Sequence, residues 1–389
     1  MSQKSSEADN IRKIISQFSI GDGIYSYKPF GSGHINDTYL IYSDKAESAS
    51  KDAGFQDKFL LQRINHEVFK DVEGLMQNMH LVTSELKEKL SLAKQEIFTT
   101  VSIITTYQGK LYYRDDQGNY WRIQTFIPNS ISYDTVASEK QAYEAGYAFG
   151  MFQLLLSDMD VSSLKETIPD FHNMEYRFSN LEKAIQQDVA GRKTSVTDEI
   201  NFAMQRKESL ESLYKKVRSG DVPIRITHND TKFNNVLLDQ ETQKAICIID
   251  LDTVMPGVAW YDFGDSIRTI VNTAEEDEAD VDKIEVDMSY FRAFTQGYLQ
   301  ETAPFLTTLE VDQLAFSSQY MTFIMGLRFL TDYISGDVYY KIKHKQQNLQ
   351  RVRAQFRLVS RMEKKAEEMQ DIVWQTFHHY QDQASSSKV

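Results

Sequence analysis

Near Pro128 the spacing of apolar residues changes, and this change limits the folds open to the chain. Before it, from Ile24 to about Phe126, apolar residues fall in short runs: IYSYKPF, TYLIYS, KFLLQRI, VSIITT, KLYYRD and WRIQTFI. Their length and their β-branched and aromatic content suit strands. After it, SEKQAYEAGYAFGMFQLLLSD and the stretches around 175–218, 288–300, 310–334 and 340–381 read as helices with buried faces. One helix interrupts the strands, with Val68, Phe69, Val72, Leu75, Met76, Met79, Val82, Leu86 and Leu90 at three- and four-residue steps, a stripe that reads as core packing. The expected fold is α+β and bilobal, with a β-rich N-terminal lobe over 1–127, a mainly α-helical C-terminal lobe over 128–381 and a disordered tail over 382–389. A chain of 389 residues exceeds what one core usually supports, and a cleft between lobes is the natural place for a ligand.

Charge and composition narrow the partners. A formal net charge of -13 disfavours nucleic acid, whose phosphates demand a basic face, but leaves room for a nucleotide held by a few cations and backbone N–H groups. Cys247 is the only cysteine, so no internal disulfide is expected. The polar start MSQKSSEADN lacks a secretory core, and no apolar run reaches the roughly 20 residues a membrane helix needs. A cytoplasmic protein, monomeric or a simple homo-oligomer, fits these features. The segment at 43–58 reads as a mobile hairpin loop, and the acidic run at 274–282 as a solvated loop.

The stretch ITHNDTKFNNVLLDQETQKAICIIDLD carries the chemistry. His228, Asp230, Lys232 and Asn235 match H-x-D-x-K-x-x-N, the catalytic-loop pattern of the protein-kinase-like fold, and a second apolar strand ends in Asp250. Phosphoryl transfer needs a carboxylate to take the incoming hydroxyl's proton and oxygen ligands to hold Mg²⁺ against the phosphates. Asp230 is the expected base; Asn235 and Asp250 are the expected metal ligands. H-x-D alone would be a surface turn in many chains. The full composite, placed where strands give way to helices, is far rarer. Asp262-Phe263-Gly264 imitates the Asp-Phe-Gly metal element of protein kinases but lies too far beyond Asn235, so Asp262 is read as structural, bracing the catalytic loop.

PFGSGHINDTYLI reads as strand, glycine-rich turn, strand. Gly31 and Gly33 would let backbone approach phosphates, while Ser32, His34, Asn36 and Thr38 would add polar contacts. A turn of this kind is often only a hairpin; its place ahead of the other strands favours a nucleotide cover. In KFLLQRI, Arg63 or Gln62 stands where a cation would steady the α- and β-phosphates, and backbone around Thr125 to Ile127 would bond adenine.

These features together resemble the aminoglycoside phosphotransferase and choline kinase superfamily. More narrowly, FGSGHINDTYL, LLQRIN, HNDTKFNNVLLD, IDLDTVMPG, YDFGDSIR and GLRFLTDYISGDVYY are similar to the N-acetylhexosamine 1-kinase family, from about Phe30 to Glu363. The resemblance implies ATP and Mg²⁺ as cofactors and transfer to the anomeric hydroxyl of N-acetylglucosamine or N-acetylgalactosamine. It implies Asp230 at the sugar, Arg328 and Tyr339 as sugar-site residues, and Asp37 with His34 within reach of sugar or phosphates. A homoserine, choline, aminoglycoside or different sugar acceptor is the alternative. For Arg328, within the apolar helix FIMGLRFLTDYI, the alternative is an ion pair with Asp332 one turn along.

Overall fold

The computed structural model describes residues 2–21, 25–31, 35–43, 58–93 and 97–386. The loop expected at 43–58 falls almost wholly outside the described residues, as do Ser32, Gly33 and His34. The chain starts with α1 (Ser2–Ile15), which the polar opening did not suggest, followed by β1 (Tyr25–Pro29), β2 (Asp37–Ser43) and β3 (Lys58–Ile64). Next come α2 (Val72–Leu92), β4 (Ile103–Ile104), β5 (Tyr113–Arg114) and β6 (Tyr120–Thr125). These strands form one antiparallel sheet in the order β1-β2-β3-β6-β4, with β5 also on β6.

Strand alternation gives the sheet two different faces. Ile41, Phe59, Leu61, Trp121 and Ile123 point one way and are covered by Ile11, Ile14 and Ile15 of α1 together with Phe18, forming a small separate core. Residues of opposite parity point the other way, toward the second lobe. There Thr38, Gln62 and Arg122 stand in register across β2, β3 and β6. The helix α2 starts at Asp71, whose carboxylate accepts the Gly74 N–H. Its apolar stripe joins the large core of the second lobe, and Asn78 fixes it there by donating to the carbonyls of Lys165 and Val254.

Beyond β7 (Ser130–Ile131) the chain is mostly helical: α3 (Glu139–Leu155), α4 (Met174–Gln187) and α5 (Thr197–Arg218). The catalytic segment follows as β8 (Arg225–Thr227), β9 (Val236–Asp239), β10 (Ala245–Ile248) and β11 (Met255–Gly257). Then come α6 (Ala259–Ile270), α7 (Met288–Thr302), α8 (Thr308–Ile334), α9 (Gln347–Lys364) and α10 (Ala366–Ser386). Of the tail expected to be disordered over 382–389, the part through Ser386 continues α10, and 387–389 lie outside the described residues. Among the described residues no helix is long and apolar enough to cross a membrane. Cys247 is buried in β10, and that burial pushes its thiol up to about 12.

The helices α3 and α7 cross at glycines. A Cβ at Gly146 would collide with the Phe294 carbonyl, and one at Gly297 with the Tyr143 carbonyl. Gly297→Ala is therefore expected to overpack this crossing and lower stability by about 1–3 kcal/mol, read as a lower urea midpoint at unchanged m-value.

Candidate active site

The catalytic loop leaves β8 and is held from below by α6. Asp262, with no exposed surface, accepts the backbone N–H groups of His228 (2.9 Å) and Asn229 (2.8 Å) and the Gln153 amide (2.8 Å). Its role as a loop brace follows from these bonds. Asn229 takes a left-handed conformation (φ 65°), reversing the chain so that Asp230 faces the cleft. Three residues on, Asp265 accepts the Thr231 N–H (3.1 Å) and pairs with Arg268. The His228 ring donates from Nε2 to the Ile249 carbonyl (2.9 Å) and accepts from the Asp230 N–H at Nδ1 (3.3 Å). It stitches the loop to the segment that presents Asp250.

Asp230 Oδ1 lies 2.8 Å from Lys232 Nζ, and Asn235 Nδ2 donates to the Asp230 carbonyl (2.8 Å) and Oδ2 (3.3 Å). Burial pushes the Asp230 carboxyl up, but the Lys232 ammonium, His228 and Arg268 together outweigh it, so the group stays below the ordinary carboxylate range. With Nδ2 committed to Asp230, the Asn235 Oδ1, which has no donor among the described residues, is placed to act as a ligand. The Ile249 N–H donates to the Asn235 carbonyl, bringing the next residue, Asp250, alongside. Asp250 is left-handed (φ 62°, ψ 53°) and open to solvent, yet the protein around it, then Asp252 and Asp230, push its carboxyl up to about 8. An amide oxygen beside a carboxylate suits a hard divalent cation that takes its remaining ligands from phosphate and water.

Across the cleft, the buried Arg122 of β6 pairs with Asp252 and also donates to Gln62 Oε1 (2.9 Å). Asn36 donates to Asp252 (2.8 Å) and accepts the Asn65 N–H (2.9 Å). Of the two residues expected to stand toward the phosphates, Gln62 is the one on the junction side of the sheet, beside the buried Arg122. Arg63 pairs with Asp37 on the sheet face that carries α1, and both side chains are about half exposed. Thr38 accepts from Gln62 (3.1 Å), and Gly31 has φ 76°. In the hinge, the Thr125 N–H is spent on the Ser102 carbonyl (3.0 Å), whereas the Ile127 carbonyl accepts the Ser130 hydroxyl. Among the described residues the Ile127 N–H has no backbone acceptor.

Arg328 on α8 lies over the rings of Phe171, Tyr339 and Tyr340 at 5.5–5.9 Å. Among the described residues it has no carboxylate partner. The ion pair with Asp332 does not form, because Asp332 accepts the N–H groups of Val338, Tyr339 and Tyr340 and the Asn348 amide. That carboxylate shapes the loop bearing Tyr339 instead. Two neighbours had no sequence signal. His172 is buried with Nε2 unpartnered, and burial, then Arg328 and Arg177, drive its imidazole down to about 3. Arg177, also without a carboxylate among the described residues, falls to about 10 through burial and then Arg328. Asp230 acts on His172 in the opposite sense, so this cluster borders the catalytic loop.

A strand lobe, a helical lobe and an Asp-Lys-Asn loop facing a second carboxylate define a kinase-like phosphotransferase. Residues 26–302 match the APH model, described as the phosphotransferase enzyme family, and the chain belongs to that family. It is a phosphotransferase with a hydroxyl acceptor. Solved structures share the fold over nearly full length. An aminoglycoside phosphotransferase from Alicyclobacillus acidocaldarius is 11% identical, with 92% of this chain and 96% of that one covered at TM-score 0.57. A choline kinase from Cryptosporidium parvum is 14% identical, with 94% and 97% covered at TM-score 0.55. A microcompartment-associated aminopropanol kinase is 13% identical, with 93% and 98% covered at TM-score 0.55.

Because Lys232 holds the Asp230 carboxyl down, Lys232→Met should raise its pKa. The carboxylate form would then be lost at a higher pH as the solution is acidified. The acid limb of the kcat profile is expected to move upward in pH, and an unmoved limb would detach Lys232 from Asp230.

Proposed function

We propose that the protein transfers the γ-phosphate of ATP to the anomeric hydroxyl of an N-acetylhexosamine, N-acetylglucosamine or N-acetylgalactosamine, giving the sugar 1-phosphate. The observation that carries this reading is Arg328, a guanidinium among aromatic rings beside the catalytic loop with no carboxylate partner among the described residues. A site for choline or an aminoglycoside would place carboxylates or an electron-rich cage around a cationic substrate. Here two guanidinium groups and an uncharged imidazole stand in that place. Their N–H donors fit sugar hydroxyls and an N-acetyl carbonyl, while Phe171 and Tyr339 offer apolar faces to a pyranose ring.

In this reading Asp230 accepts the proton of the attacking hydroxyl. Its depressed pKa makes it a weak base, which suits the anomeric hydroxyl, the most acidic hydroxyl of a free sugar. Lys232 offsets charge at the base, and Asn235 fixes the carboxylate through its backbone and side-chain bonds. Asn235 Oδ1 and Asp250 would hold Mg²⁺, which when bound neutralises charge developing on the phosphates. The Ile127 N–H would donate to adenine. Arg122 contributes by keeping Asp252 and Asn36, at the base of the glycine turn, in place.

A coupled ADP-release screen over free sugars and amino alcohols tests the acceptor. N-acetylhexosamines are expected to give the highest kcat/KM, and a preference for choline, homoserine or an aminoglycoside would overturn the assignment. With the preferred acceptor, Asp230→Asn should lower kcat by about 10²–10⁴-fold while ATP still binds. Arg328→Lys should raise the acceptor KM far more than the ATP KM at an unchanged melting temperature, since the planar fork is lost.

The raised Asp250 carboxyl gives a pH test of the metal site. It is protonated below about 8 and must lose that proton to ligate a cation. Affinity for Mg²⁺-nucleotide is therefore expected to rise as pH increases toward about 8 and level off above, with proton release in calorimetry. Asp250→Asn should remove both the affinity and the slope.

A further inference from the structure

We propose that Glu276 is a positioning residue that couples the catalytic loop to the loop bordering the acceptor, and this rests on the reading that residues 337–340 line the acceptor site. Glu276 belongs to the acidic run at 274–282, which the sequence presents as a solvated loop. In the fold that run is strapped onto the helices. The Asn272 and Val286 backbones bridge at its base, Asp282 pairs with Arg357 and Glu285 pairs with Arg361.

Glu276 alone in the strap reaches both sides of the active site. One carboxylate oxygen lies 3.3 Å from Arg268 Nη1 and the other 3.6 Å from Arg351 Nε. Arg268 is almost wholly buried and grips Asp265, whose second oxygen receives the Thr231 N–H next to Asp230. On the other side, Arg351 Nη1 donates to Asn348 Oδ1, and the Asn348 amide donates to Asp332 and Asp337. Asp332 holds the backbone of Val338, Tyr339 and Tyr340. Arg351 also lies over the ring of Phe329, which packs on Tyr340. Every link from Thr231 to Tyr340 is a charged or polar contact to a named atom, and Glu276 is where the two halves meet.

The two links made by Glu276 lie partly within reach of solvent, since its side chain is 42% exposed. Salt should therefore weaken the coupling without unfolding the protein. A pocket closed by two separately braced loops keeps the acceptor hydroxyl at Asp230 only while the braces stay in register.

Steady-state kinetics with ATP and whichever hydroxyl acceptor the wild-type enzyme phosphorylates provide the test, so an error in the sugar assignment changes the acceptor used and not the comparison. Glu276→Gln keeps size and shape and should raise the acceptor KM by about tenfold, the scale of coupling between linked residues, while the ATP KM and melting temperature stay unchanged. Salt should raise the wild-type acceptor KM toward that of the variant. Arg351→Gln cuts the same path from the other side, and the double variant should be no worse than the more impaired single one. It also replaces Glu276→Gln as the reporter if the latter fails to fold. Asp282→Asn, on the same strap but outside the path, should leave both KM values as they are. An unchanged acceptor KM, additive single variants, an equal effect from Asp282→Asn, or parallel rises in both KM values with a fallen melting temperature would each overturn the proposal.

Discussion

The active site depends first on one carboxylate that touches no substrate. Asp262 is fully buried, and burial alone would raise its pKa steeply; the His228 ring and the N–H groups of His228 and Asn229 pull in the opposite direction. Three donors converge on it, so its desolvation is compensated by bonds that also set the path of the catalytic loop. The backbone reversal at Asn229 is held on both sides, since the Asn229 side chain donates to the carbonyls of Thr227 and Thr253. The position of Asp262 in turn depends on α6 lying close to α8. A side chain at Gly264 would collide with the Ser317 carbonyl, so the absence of a Cβ there lets the helices approach.

A second constraint joins the lobes. Three carboxylates, Asp230, Asp250 and Asp252, crowd the same cleft, and their mutual repulsion is managed unequally. Asp252 is pressed upward by burial, but Arg122 outweighs this and keeps it low. Asp230 is held low in the same way by Lys232. Asp250 makes no salt bridge among the described residues, and the protein around it, then Asp252 and Asp230, outweigh the opposing pull of Arg122 and raise its pKa. Of the three it is also the one most open to solvent, where a divalent ion, in the proposed reading, would add positive charge. Because Arg122 stands on β6 and Asp252 beyond β10, this distribution exists only when the lobes are together.

Much of this was legible in the sequence, for a physical reason. The catalytic loop is short-range: His228, Asp230, Lys232, Asn235 and Asp250 act within one strand-loop-strand unit, and their spacing is their geometry. The structural role of Asp262 could be read from its distance beyond that unit. The segment YDFGDSIR also held Asp265 and Arg268 at a helical i, i+3 spacing, a pattern that could have been read as a second brace. What stayed hidden depends on tertiary pairing. Whether Arg63 or Arg122 faces the lobe junction is decided by strand parity, and Arg63 falls on the α1 side of the sheet. Similarly, Asp332 sits one helical turn from Arg328, which invites an ion pair, but the chain folds back after Gly336 and three backbone donors take the carboxylate first. His172 and Arg177 lie some 50 residues before the catalytic loop, with no local pattern to mark them. The helix α1 was missed because its apolar side is only Ile11, Ile14 and Ile15, too short a stripe to stand out until the sheet beneath it is seen.

The division between legible and hidden residues follows the division of labour in the site. The family match spans residues 26–302 and takes in the whole unit from Asp230 to Asp250, whose groups are local in sequence. The cluster proposed to meet the acceptor draws on α4, α8 and the turn after Gly336, segments brought together only by packing. A cationic acceptor and the pair Arg177 and Arg328 would exclude each other by charge, since an ammonium group buried beside two guanidinium groups lacks any counterion to offset its desolvation. In the proposed reading, the sign of charge on the acceptor wall, rather than the fold, would separate an uncharged acceptor from a cationic one.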